Sequence, residues 1–415
     1  MPSSSLVVLI VKLFAALMSF GLNIILVRRL GVEDSGAFFY FQSLLMSLVV
    51  VTTMGLQTPI VRCVAQNMTG THKGIGILRG TCITVIVMSF LVAMSLVFVK
   101  NTIGAIPFSN SVLHTFLMTL FLYSISVILF SYNQGKGYYV ESVIFQSLFS
   151  NLILFIFILN FKLDIEGVVR VYCFSMLLSV LVQSIIINYR DKKLKNNFMK
   201  DEYDYKHLVS IAIPCFILVV IERIVPLINQ TILGNRLGSD AIAEFSVLIK
   251  IVGVVALFIS AINVVIARKI AIAYKNGELD EIQQLISKCL KFFILVSVIF
   301  ITIIVFFGEN LLKIFDDTFV QLKVALLICS IGQVVNILTG SVSQLLLMTG
   351  NEKQMRNSIL IGFSLFSLSL IIFSSDFSVV KASVCFLVYM SSSNLFAWYM
   401  VRKQIGINTL WLVWK

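Results

Sequence analysis

Charge is scarce in this chain. Only 13% of its 415 residues are Asp, Glu, Lys or Arg, about half of what a water-soluble domain uses to cover its surface. That excludes a soluble globular protein, because no polar shell is left to enclose the apolar residues, which make up 59% of the sequence. Histidine is scarcer still: His72, His114 and His207 stand far apart. The seven cysteines (Cys63, Cys82, Cys173, Cys215, Cys289, Cys329 and Cys385) form no CxxC or Cys/His spacing, so a metal or redox centre is not expected. They read as small core hydrophobes. There is no Ser/His/Asp or Cys/His constellation and no GxxxxGK[ST] loop, which argues against hydrolytic chemistry and against ATP as a direct energy source. No cofactor is implied. The opening apolar run, 6–27, carries Lys12, lacks a small-residue cleavage site and is followed by Arg28 and Arg29. It reads as a retained membrane helix rather than a signal peptide.

What the chain does have is long apolar runs, reflected in a mean hydropathy of +0.99. Runs long enough to cross the hydrocarbon core, about 20 residues each, fall at 6–27, 37–61, 80–99, 112–132, 142–161, 167–189, 208–233, 243–267, 289–308, 322–348, 358–375 and 379–401. Twelve crossings place both termini on one side. Twenty basic residues lie in the loops after even-numbered spans, at the span ends bordering them, or in the C-terminal tail, against nine in the loops after odd-numbered spans or at the span ends bordering those. The positive-inside rule therefore places the even loops and both termini in the cytoplasm. The net charge of +12 follows from this loop pattern and implies no nucleic-acid partner.

The longest hydrophilic stretch, 190-RDKKLKNNFMKDEYDYKH-207, separates six spans from six. The predicted organisation is an N-terminal six-helix lobe over 1–189, a cytoplasmic linker over 190–207, a C-terminal six-helix lobe over 208–401 and an interfacial tail over 402–415. The halves match without a gap at an offset of 207: 29-RLGVEDSGAF-38 against 236-RLGSDAIAEF-245, with Arg62 meeting Lys269 and Gly70 meeting Gly277. Six spans between the copies make this a parallel repeat, two lobes running the same way through the membrane with a cleft between them.

These features together resemble the polysaccharide-transport branch of the multidrug/oligosaccharidyl-lipid/polysaccharide (MOP) exporter superfamily, in particular O-antigen flippases of the Wzx type. They are the length, the twelve spans, the R-L-G-x-E/D-x-x-x-x-F loop and the prolines of span seven, Pro214 and Pro226. The resemblance implies an all-α integral membrane protein, its two parallel six-helix lobes surrounding a central cationic cavity as in MATE-like transporters. It implies that the substrate is an undecaprenyl-pyrophosphate-linked oligosaccharide flipped from the cytoplasmic to the periplasmic leaflet of the bacterial inner membrane. The other partners it implies are membrane lipids, a polysaccharide polymerase and a chain-length regulator, with the protein itself a monomer. In the related lipid II flippase the cavity cations come from spans one, two and eight. Here those spans offer Lys12, Arg62 at its cytoplasmic end, and Lys250.

Three basic residues and one acid stand out within spans: Lys12, Arg223, Lys250 and Glu222. A charge at mid-bilayer costs at least roughly 2.5–3.5 kcal/mol, so such groups face a bundle interior or a wet cavity. Glu222 and Arg223 are adjacent and project about 100° apart on a helix, so they cannot neutralise each other face to face. They and Lys250 read either as interhelical salt bridges or as a phosphate-tolerant lumen. Lys12 reads either as a cavity cation or as a residue snorkelling to the interface. Arg28 and Arg29 read as interface anchors. Glu222 is the candidate ion-coupling carboxylate, while Pro214 and Pro226 would bend or loosen span seven. Neutral polar residues such as Asn229, Gln230 and Gln333 could meet sugar hydroxyls or hydrogen-bond between helices. The segment 277–290 reads as an interfacial amphipathic helix, and Trp411 and Trp414 place the tail at headgroup level. Two rivals remain. An O-antigen polymerase or ligase is disfavoured by the short outward loops, and a drug or cation antiporter of the same superfamily by the predominance of basic over acidic intramembrane charges.

Overall fold

A computed structural model describes residues 2–66, 71–103, 109–192 and 205–407. Among them every regular element is helical. The first half contains α1 (Pro2–Leu30), α2 (Val32–Thr53), α3 (Gln57–Gln66), α4 (Thr71–Ile103), α5 (Asn110–Gly135), α6 (Tyr139–Val143), α7 (Phe149–Asn160) and α8 (Ile165–Lys192). The second contains α9 (Tyr205–Leu237), α10 (Ser239–Asn276), α11 (Leu279–Lys313), α12 (Lys323–Thr339), α13 (Val342–Met348), α14 (Glu352–Ile372) and α15 (Val379–Ile405). A π-helical turn, Ile144–Leu148, joins α6 to α7, and a 3-10 turn, Asp317–Leu322, leads into α12.

Each predicted crossing falls on one of these helical tracts. Eight helices among the described residues are long and apolar enough to cross a membrane. The other four predicted crossings lie on α1, the α6–α7 tract, α9 and α10. Two crossings are interrupted. The run 37–61 breaks where Met54 and Gly55 take positive φ values of 48° and 67°. The run 322–348 breaks at Gly340, φ 76°. At Gly55 even a methyl group would meet the backbone nitrogen of Phe216 at 2.9 Å, so α9 packs directly on the bend. The π turn falls near the start of run 142–161, and the Ser179 hydroxyl donates to its Phe145 carbonyl at 2.9 Å. A π turn leaves carbonyls without their usual i+4 donor, and α8 supplies one.

The apolar surface is turned outward. Ile83, Ile86, Val87, Phe90, Leu91, Met94 and Phe98 make an exposed apolar face on α4, as lipid contact requires. Buried positions include many hydroxyls, among them Thr52, Ser124, Ser126, Ser175 and Ser179. Most of these bond the carbonyl one turn back or a facing side chain, as Thr52 does with Ser124 at 2.6 Å and Gln183 with Ser126 at 3.2 Å. In lipid, helices associate through close packing and such bonds rather than through hydrophobic exclusion.

The amphipathic segment expected over 277–290 is continuous with the membrane helix that follows. Residues Ile282, Ile286, Leu290, Phe293, Ser297, Phe300 and Ile304 form one buried stripe on α11. The Trp-bearing end of the tail, 408–415, lies outside the described residues.

The duplication is visible in the backbone. α1 ends at Leu30 and α9 at Leu237, while α2 starts at Val32 and α10 at Ser239. Between them Gly31 has φ 83°, ψ 173° and Gly238 has φ 88°, ψ −177°, a region open in practice only to glycine. Each glycine amide donates to the carbonyl four residues back, Val27 at 3.0 Å and Gly234 at 3.1 Å. Acids follow in the first turn, Glu33 and Asp34 in one copy and Asp240 in the other, complementing the helix dipole.

By its packing the chain forms two compact units. One comprises Met1–Asp34 and Tyr40–Ile224, the other Ser35–Phe39 and Val225–Lys415. The division falls inside α9, whereas the predicted linker was 190–207, of which 193–204 lie outside the described residues.

Candidate functional site

In the first unit, Glu222 and Arg223 sit at the middle of the 33-residue α9. Both are exposed, and neither takes part in an ion pair among the described residues. The Arg223 guanidinium approaches the Met46 sulfur, Nη1 to Sδ 4.0 Å. The Ser47 hydroxyl donates to the Ser43 carbonyl at 2.9 Å and shares its proton with the Arg223 carbonyl at 3.2 Å, which ties α2 to α9 at the charged pair. Pro226, lacking an N–H, withholds the bond that the Glu222 carbonyl would accept in an unbroken helix. One residue thus presents a carboxylate and a carbonyl without its helical donor, both hard oxygen ligands. Nearby on α2, Gln42 is hydrogen-bonded to the Tyr172 side chain, and Phe41 packs edge-on against Phe116 with centroids 5.1 Å apart.

α9 continues as a helix through both Pro214 and Pro226. The side chains of Lys12 and Pro214 lie outside the described ones, and only their positions within α1 and α9 are on record.

The second unit holds the other cation. Lys250 lies on α10, its Nζ 3.2 Å from the centroid of the Phe39 ring. A desolvated cation–π contact stabilises by about 2 kcal/mol, which offsets most of the mid-bilayer cost given above. One turn earlier on the same face, Ser246 accepts from Gln230 Nε2 at 2.9 Å and donates to the Ile242 carbonyl at 2.6 Å. Gln230 therefore plays the interhelical part. Its neighbour Asn229 does not: it is fully buried, and among the described residues neither atom of its amide has a hydrogen-bond partner. Leaving such a group unsatisfied costs about 1–3 kcal/mol. Phe38 and Phe245, which correspond in the repeat, are both fully buried.

Sequence reasoning located Arg223, Lys250 and Glu222 but missed Phe39 and the Gln42–Tyr172 pair. The missed residues are an ordinary aromatic, a glutamine and a tyrosine in apolar runs, with no spacing signal. Among the described residues no group of three His, Cys, Asp or Glu side chains could hold a metal ion.

The chain resembles known proteins at two levels. Residues 3–267 match the family model described as polysaccharide biosynthesis protein. A search of curated proteins finds no match. Solved structures similar over nearly the full length include an inward-facing multidrug-resistance MATE-family transporter of the MOP superfamily (TM-score 0.72, 12% identity, 96% of this chain and 98% of that one). A Vibrio cholerae MATE transporter superposes with TM-score 0.72 at 14% identity, over 99% of this chain and 98% of its own. A MOP-superfamily transporter from Pyrococcus furiosus, described as having a binding pocket of reversed polarity, gives 0.71 at 11%, over 97% and 95%. At these identities the likeness is one of fold.

Proposed function

The chain belongs to the polysaccharide biosynthesis protein family and has the fold of a multi-pass MOP-superfamily transporter, and from that premise we propose that it flips undecaprenyl-pyrophosphate-linked polysaccharide repeat units, such as those of O-antigen, from the cytoplasmic to the periplasmic leaflet. The observation that carries this reading is Arg223, a guanidinium exposed at the middle of a membrane-length helix and engaged in no ion pair among the described residues. A pyrophosphate carries negative charge that lipid cannot stabilise. Arg offers a planar fork to its oxygens and Lys a point charge, so Arg223 and Lys250 lower the barrier for the headgroup while the prenyl chain stays in the bilayer. Lys12, on α1, is the third candidate cation.

The motion is alternating access, driven by a proton or sodium gradient. Glu222 is the coupling group: its carboxylate takes the cation, helped by the carbonyl that Pro226 leaves without a donor. The protein works as a monomer in the inner membrane with both termini cytoplasmic, passing its product to a polymerase and chain-length regulator. A second reading, a drug or cation antiporter, is favoured by the accessibility of Glu222 alone.

The test is surface polysaccharide in cells whose own copy is replaced by Arg223→Ala or Lys250→Ala. Loss of one charge-assisted contact is worth roughly 1.5–3 kcal/mol, a fall in transport of about tenfold to a hundredfold, with normal amounts of protein in the membrane. Undiminished polysaccharide in both variants overturns the cationic-lumen reading. Extrusion of a cationic dye that depends on Glu222, in those same cells, would establish the antiporter instead.

A further inference from the structure

Each unit contains a hollow at the end of the helix that precedes its Arg-Leu-Gly joint. In the first unit it is walled by the end of α1, the end of α7 and the start of α8, encloses about 290 Å³, and is lined by Arg28, Arg29, Lys162, Ile158, Phe161 and Leu163, among others. In the second unit a hollow of about 200 Å³ is lined by Asn235, Arg236, Leu370 and Ser374, among others. Under the offset of 207, Arg28 becomes Asn235 and Arg29 becomes Arg236, while the loop past the end of α7, which carries Lys162, has its counterpart in the loop past the end of α14, which carries Ser374. The two hollows are copies of one feature. One has three cations and the other a single arginine, so the molecule contains its own control.

Three like charges around one space repel each other, and an anion seated among them relieves that repulsion. Among the described residues no acid lines the first hollow. The acids nearest in sequence to Lys162 are engaged: Asp164 Oδ1 accepts from the Gly167 amide at 2.9 Å, and Glu166 accepts from Arg170 at 2.9 Å and from the Ser109 hydroxyl at 3.2 Å. The size also fits. At about 290 Å³ the hollow lies at the small end of ligand pockets, with room for a headgroup. Its walls, Ile158 and Phe161, are apolar, with Phe161 57% exposed, as would suit the glycerol or chain end of a lipid.

We propose that the hollow bounded by Arg28, Arg29 and Lys162 binds the phosphate of an anionic lipid headgroup, at the membrane face that carries the loops after odd-numbered spans. Basic pockets between membrane helices are suited to such headgroups. Neither Arg223 nor Lys250 lines it, and the proposal stands whether or not the cargo is a lipid-linked saccharide.

The phosphate could come from a bilayer lipid or from the polyprenyl carrier, and the two are distinguishable. Purified full-length protein in detergent is titrated with phosphatidylglycerol, with undecaprenyl phosphate and with zwitterionic phosphatidylcholine, and bound lipid is read by native mass spectrometry. Each basic residue near a headgroup is worth about fivefold, so the triple variant Arg28→Gln, Arg29→Gln, Lys162→Gln is expected to lose about a hundredfold in anionic-lipid binding. Phosphatidylcholine binding, and anionic binding to Arg236→Gln, stay within about twofold of the parent. A selective loss for phosphatidylglycerol assigns the site to bilayer lipid, and one for undecaprenyl phosphate to the carrier. Either supports the site. Should the triple variant not fold, Lys162→Gln alone is expected to lose about fivefold and Lys162→Arg to recover it. Unchanged binding of both anionic lipids in the triple variant or, failing that, in Lys162→Gln overturns the proposal.

Discussion

Gly36 and Ser239 stand so close that a methyl group on Gly36 would overlap the Ser239 carbonyl oxygen, with its carbonyl carbon at 2.8 Å and the Ala243 nitrogen at 3.1 Å. In the repeat Gly36 corresponds to Ala243, so two equivalent small residues meet where the starts of α2 and α10 cross. The obstacle is backbone, which cannot swing aside. Gly36→Ala should therefore destabilise by about 1–3 kcal/mol as an overpacked contact. Gly253, on α10 with nothing within 4 Å of a built methyl group, should gain about 0.5–1 kcal/mol as alanine in a helix interior. Thermal aggregation in detergent, followed by size-exclusion chromatography, should move in opposite directions for the two.

The joints at Gly31 and Gly238 predict a different signature. Neither has a heavy atom within 4 Å of a built methyl group, so alanine costs only backbone strain, about 1–3 kcal/mol. Since the two conformations are nearly identical, Gly31→Ala and Gly238→Ala should cost the same within about 0.5 kcal/mol and add when combined. The same aggregation assay checks this. A large inequality would mean that one joint is held by its surroundings.

Glu222→Gln keeps the shape of the side chain but removes its charge. If Glu222 couples transport to an ion gradient, the variant should lose its response to dissipating the proton or sodium gradient in proteoliposomes, while downhill movement of cargo continues. A response equal to the parent's would move the coupling role to another residue.

For Lys250 the informative change is in its cover. Phe39→Leu keeps an apolar side chain and deletes the ring face, removing about 2 kcal/mol of cation–π stabilisation. Protein stability should fall by about that amount in the parent, but by much less where Lys250 is already Met. Equal losses in both backgrounds would show that Phe39 acts by packing alone.

Much of the fold was legible because its signals are local. Apolar runs bounded by basic loops marked every helical tract, and the Arg-Leu-Gly repeat marked the joints because only glycine suits that conformation. The interruptions were hidden. Met54 is a good helix former, yet it takes φ 48° where the backbone of α9 crowds Gly55. Gly340 lies in a run apolar enough to read as one helix, and the π turn at Ile144–Leu148 depends on Ser179 of another helix. At the candidate site, the charges within spans were conspicuous because lipid makes them costly. Phe39 was not, since its meaning comes from Lys250 in the other half of the chain. The hollow beside Arg28 and Arg29 was also hidden: those residues read as anchors, and Lys162, which completes the lining, is far from them in sequence.

The two glycine joints bear on the history of the chain. A hinge built from main chain alone, with open space where a side chain would be, asks almost nothing of the residues around it. After duplication the copies could drift nearly everywhere and still fold back on themselves in the same way. That tolerance is how ancestry can persist in the angles of two peptide units after it has all but vanished from the alphabet.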